Sequence, residues 1–129
     1  MNRRAFLIAG LLASTSLASA RAASDLTVIY VGGWDCPPCT QWKNTQKAGW
    51  LASPEFHKVT WVEVESPKLK EAYQERYWPD ELRAVLAQLP RKSGTPRFLI
   101  VKDGKVVSNG FGTGRWATTM ADLRKFLGE

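Results

Sequence analysis

Leu26-Thr27-Val28-Ile29-Tyr30-Val31 is an unbroken β-rich apolar run, closed by Gly32-Gly33 and followed at once by Cys36-Pro37-Pro38-Cys39. A run of this length with no polar alternation predicts a strand covered on both faces, which needs packed layers above and below it. Pro37 and Pro38 suit the first turn of a helix, where an N–H has no partner to lose, and Thr40 to Lys47 can continue it. The cysteines are therefore expected at the junction of a buried strand and a helix, with Cys36 at the helix N-terminus.

The rest of the chain supplies the layers. Val59, Trp61, Val62 and Val64 mark a second strand within His57 to Glu65, and Ser66-Pro67 reads as a helix start with proline in first position. Leu69, Ala72, Tyr73 and Tyr77 fall at helical spacing up to Trp78-Pro79. Leu82, Val85, Leu86 and Leu89 form a second amphipathic stretch stopped by Pro90. Asp103-Gly104 between Phe98-Leu99-Ile100-Val101 and Val106-Val107 predicts a hairpin. A last helix is expected from a Thr119/Asp122 capping box, with Met120, Leu123, Phe126 and Leu127 on one face and Gly128 closing it. The predicted order β-α-β-α-α-β-β-α describes one α/β domain of two or three layers.

The first residues follow another logic. Arg3 and Arg4, an apolar run from Ala5 to Ala13, and small residues around Ala20 and Ala22 have the form of an export signal. The run is about half of the ~20 residues a spanning helix needs. We expect residues 1–22 to be a cleaved leader and 23–129 the domain. Arg3-Arg4-Ala5-Phe6-Leu7 resembles a twin-arginine signal, although paired arginines also occur in ordinary leaders. The expected location is periplasmic. The formal charge of +6 is partly the leader's, because Arg3, Arg4 and Arg21 belong to it and leave 15 basic against 12 acidic residues. The remaining charge is scattered, which argues against nucleic-acid binding.

Two cysteines three residues apart close too small a loop for a disulfide to stabilise much, since the gain grows with loop length. Reversible redox chemistry explains the spacing better. Thr40 after Cys39 excludes a haem-attachment motif, His57 is the lone histidine, and Gly110-x-Gly112-x-Gly114 lacks dinucleotide-loop spacing and reads as a backbone bend. A second reading of Cys36 and Cys39 is a soft-metal module holding Cu(I), which lacks Met or His ligands nearby.

Strand, Trp-containing lead, Cys-x-x-Cys on a helix, then Thr95-Pro96 before a terminal hairpin and helix: over nearly its whole mature length this pattern resembles the thioredoxin-like superfamily. The resemblance implies a central mixed sheet flanked by helices, with a helical insertion before a cis-proline loop. It implies a thiol-disulfide oxidoreductase with no cofactor, acting on protein disulfides, supplied by a membrane electron donor, and monomeric. Cys36 is then the exposed nucleophile and Cys39 the resolving thiol. Trp34 shields the site, and Thr95-Pro96 is a cis-proline loop that pairs with the bound peptide.

The sequence departs from the family pattern in four places. Asp35 intervenes between Trp34 and Cys36, where it either disfavours the thiolate or serves as a solvated or capping residue. Tyr30 stands where the family has a buried acid, which leaves Glu63 or Glu65 as a proton relay or as residues that simply reach solvent. Arg97 replaces a small residue and is either solvated or salt-bridged, or attracts an acidic substrate segment. The stretch from Pro67 to Gly94 is long, and its Tyr73, Tyr77 and Trp78 either fill the core or form a partner surface.

Overall fold

A computed structural model describes residues 25–90 and 93–129. The expected leader lies outside the described residues. Strand β1 (Leu26–Gly33) leads into α1, an α-helix over Pro37–Trp42, a π-helix over Lys43–Lys47 and an α-helix again over Ala48–Leu51. Strand β2 (Thr60–Ser66) follows, then the short helix α2 (Arg83–Leu86), the hairpin of β3 (Arg97–Lys102) and β4 (Lys105–Phe111), and α3 (Trp116–Phe126). The sheet order is β2-β1-β3-β4, with β1 parallel to β2 and the other pairs antiparallel.

Both faces of β1 are covered, as its composition predicts. On one side Val28, Tyr30, Phe98 and Ile100 meet Trp42 and Trp50 of α1 and Trp116 and Leu123 of α3. On the other, Ile29, Val31, Val64, Leu99 and Val101 meet Ala72, Trp78, Leu82 and Val85. Alternation along each strand makes these two sets.

The hairpin turn is as expected. Asp103 (φ 51°) and Gly104 (φ 80°) both take the left-handed conformation that a two-residue primed turn requires. Gly128 (φ 82°) closes α3, its N–H donating to Lys125 O and that of Glu129 to Arg124 O, so that two terminal carbonyls find partners.

Two expectations are corrected. The helix expected from Ser66-Pro67 and the amphipathic helix after it are replaced by 3-10 turns at Leu69–Glu71, Glu75–Tyr77 and Asp80–Leu82, followed by the single turn of α2. Ala72, Trp78, Leu82 and Val85 do reach the core, one at a time, while Leu69 stays exposed. Ser66 remains in β2 opposite Gly33, and its hydroxyl donates to Lys68 O rather than capping a helix. Trp78 is buried and donates its indole N–H to Ala72 O, which fixes an irregular path across the sheet. The capping box at Thr119 is the second correction. The helix begins earlier, Thr119 is buried within it and donates to Arg115 O, and Asp122 accepts from Ser108 on β4.

Candidate functional site

Cys36 and Cys39 form a disulfide at the start of α1, with Cα atoms 5.2 Å apart. Cys36 is the N-cap, in extended conformation, and its Sγ accepts from the N–H of Cys39 at 3.2 Å. Pro37 and Pro38 occupy the two intervening positions and have no N–H to give, so Cys39 is the one local backbone donor. Thr95 supplies another from across the site, its hydroxyl lying 3.4 Å from Cys36 Sγ.

The Thr95-Pro96 bond is cis, as the resemblance implied. Two hydrogen bonds link the loop that follows β4 to both halves of the site. Gly112 N–H donates to Pro96 O at 2.8 Å, and the Thr113 hydroxyl donates to Pro38 O at 3.0 Å. Gly112 has φ 98°, which makes the bend expected of this glycine-rich stretch.

Cys36 was expected to be exposed and is not: it is 2% exposed and Cys39 1%. The Thr95 side chain packs on the Cys36 sulfur, and both cysteines belong to the buried cluster around Trp42. Trp34, expected to shield the cysteines, stands 69% exposed, with its N–H held by Ser66 O at 3.0 Å. The Asp35 carboxylate accepts the N–H of Leu69 at 2.7 Å and so caps the turn Leu69–Glu71 from a distance. Of its two readings, the capping one describes its contact. Gly33 permits this approach, since a Cβ there would lie 2.6 Å from Leu69 Cα.

Beneath α1 the Tyr30 ring is wholly buried and stacked on Trp42, centroids 5.0 Å apart. Its hydroxyl donates to Glu65, which also pairs with Lys43, one turn beyond Cys39. Lys47 pairs with Glu63 at 2.9 Å. These contacts follow from geometry, because four residues of helix and two of strand both advance about 6 Å. Neither glutamate is buried without a partner. Sequence reasoning did not single out Lys43 or Lys47, although basic residues at i and i+4 opposite acids at i and i+2 are a readable signal.

Beside the cis-proline loop, Tyr73 donates to Gly94 O at 2.6 Å and accepts from Arg97 Nε at 3.1 Å. Burial pushes the Tyr73 phenol up to about 12, with Arg97 opposing the shift. Trp78 is core, and Tyr77 packs at the edge of the same cluster. Tyr73 therefore joins the core to the site. Among the described residues no three His, Cys, Asp or Glu side chains gather as a metal set, and no helix is long and apolar enough to cross a membrane.

Neither a protein-family model nor a curated protein matches the chain. Solved structures do. A thioredoxin of Malassezia sympodialis is 15% identical with a TM-score of 0.55, over 81% of this chain and 80% of that one. The periplasmic thioredoxin SoxS of Paracoccus pantotrophus, in reduced form, is 12% identical with a TM-score of 0.55, over 80% and 96%. Thioredoxin of Trypanosoma brucei brucei is 18% identical with a TM-score of 0.51, over 93% of each chain. At these identities the likeness establishes the fold. The chain has the thioredoxin fold, with its cysteine pair at the first strand-to-helix junction of the sheet.

Proposed function

We propose that this thioredoxin-fold chain is a periplasmic thiol-disulfide oxidoreductase that reduces protein disulfides. The observation that carries the reading is the placement of the Cys36–Cys39 disulfide at a helix cap, facing the cis Thr95-Pro96 loop. In the reduced protein the Cys36 thiolate attacks one sulfur of a substrate disulfide, a mixed disulfide forms, and one substrate thiolate leaves. The Cys39 thiolate then attacks Cys36 Sγ. This releases the second substrate thiol and regenerates the intramolecular disulfide. Two electrons and two protons pass to the substrate, and a membrane electron donor restores the dithiol.

The direction rests on donor count. A thiolate at a helix cap is stabilised by the N–H groups of the first turn, and here two of those positions are proline. Losing one hydrogen bond to a charged group, ~1.5 kcal/mol, moves a two-electron couple by about 30 mV toward reducing values. The Thr95 hydroxyl returns part of this. The potential is expected nearer the roughly -270 mV of thioredoxin than the roughly -120 mV of a strong periplasmic oxidase. Export rests on the leader of residues 1–22.

Insulin reduction with a chemical reductant tests the activity, and equilibration against glutathione tests the direction. A potential above about -150 mV would place the protein among oxidases and overturn the reductase reading.

A further inference from the structure

Arg97 follows the cis-proline directly and lies opposite Phe111 in the β3–β4 register. Strand alternation puts Arg97, Asn109 and Phe111 on one face of the sheet, that of Tyr73. There the guanidinium is held on three sides. Nε donates to Tyr73 at 3.1 Å, Nη1 donates to the amide oxygen of Asn109, and Cζ stands 5.4 Å from the Phe111 ring centroid. Tyr73 gives its own proton to Gly94 O, so its oxygen is a pure acceptor toward Arg97.

Every one of these partners is neutral. Among the described residues no carboxylate pairs with Arg97, whereas Arg76, Arg83 and Arg124 each have one. Nη2 has no hydrogen-bond partner among them either. A half-buried cation fixed by neutral groups, with one edge of its fork unused, is preorganised for a carboxylate that the chain does not supply. Phe111 is 55% exposed beside it and rests on Gly94, where a Cβ would come within 2.3 Å of the ring.

We infer that Arg97 and Phe111 form a specificity subsite that takes an acidic residue of the substrate polypeptide. The residue is placed within about two positions of the reacting cysteine, because Arg97 is two residues along the chain from the Thr95 that touches Cys36. The inference rests on the proposed disulfide reduction and adds the charge of the preferred substrate.

The test uses disulfide peptides that differ only in Glu, Gln or Lys beside the cysteine, reduced by the full mature protein. The Glu peptide is expected to exceed the Lys peptide in kcat/KM by about fivefold at low salt, the scale of a well-oriented exposed pair. That preference should fade at 1 M salt, where the screening length falls to about 3 Å. Arg97→Gln should bring the ratio to about one, and Arg97→Lys, which keeps charge without the fork, should fall between. A ratio of one or less in the unmutated protein overturns the subsite. That measurement stands even if Arg97→Gln fails to fold. Uncharged bis(2-hydroxyethyl) disulfide separates the two proposals. If it is reduced while the peptides show no preference, the subsite alone falls; if neither it nor any peptide is reduced, both readings fall.

Discussion

The Tyr30 hydroxyl, wholly buried on the central strand, donates to the Glu65 carboxylate 3.2 Å away. Tyr30 stands six residues before Cys36, in the place where the thioredoxin pattern that the sequence resembles has an acid. Burial, reinforced by Glu65, raises its phenol beyond the ordinary tyrosine range, so it stays protonated and acts as a donor. It is no general base toward Cys39 at neutral pH.

This has a consequence for stability in alkali. Tyr30 and Tyr73 both have folded-state pKa values above the unfolded value of about 10. Their contribution is complete below pH 10 and is lost as pH rises, because the unfolded chain releases protons that the folded one retains. Each tyrosine should steepen the decline above pH 10 by up to about 1.4 kcal/mol per unit, and for Tyr73 the slope levels off near pH 12. Urea midpoints from pH 9 to 12 check this. The idea fails if Tyr73→Phe leaves the slope unchanged.

Thr95→Val removes the side-chain donor to Cys36 Sγ while keeping shape. With ~1 kcal/mol for such a bond, the pH midpoint of Cys36 alkylation in the reduced protein should rise by about half to one unit. An unchanged midpoint would mean that the hydroxyl does not stabilise the thiolate.

Cys36→Ser should abolish disulfide reduction, whereas Cys39→Ser should accumulate a mixed disulfide between Cys36 and substrate, detectable by mass. The asymmetry follows from position: Cys36 caps the helix and accepts the Cys39 N–H, while Cys39 lies a turn inside it. Faster alkylation of Cys39 than of Cys36 would reverse the roles.

Asp35→Ala should destabilise the fold by about 1 kcal/mol, the usual cost of losing a cap, because the Leu69 N–H loses its acceptor. Asp35→Asn keeps an acceptor oxygen and should cost much less. Denaturant titration of both distinguishes a capping role from a charge effect, for which the two losses would be equal.

The doubly covered strand, the cysteine pair at a helix start, the Asp103-Gly104 turn and the Gly128 stop were legible from the residues alone, because each depends on residues within a few positions of one another. Local sterics suffice to specify a proline-led helix turn or a left-handed glycine. The path from Pro67 to Pro90 was set by long-range packing: helical spacing was present, but contacts with Gly33, Asp35 and the buried Trp78 drew the chain into separate turns. The same holds for the pairing of Glu65 with Lys43 and of Arg97 with Tyr73, 22 and 24 positions apart. Side chains so far apart in sequence meet only when the sheet register brings strand and helix, or strand and turn, to the same level. Pairwise charge and hydrogen-bond preferences name the candidates, and the packed layers select among them.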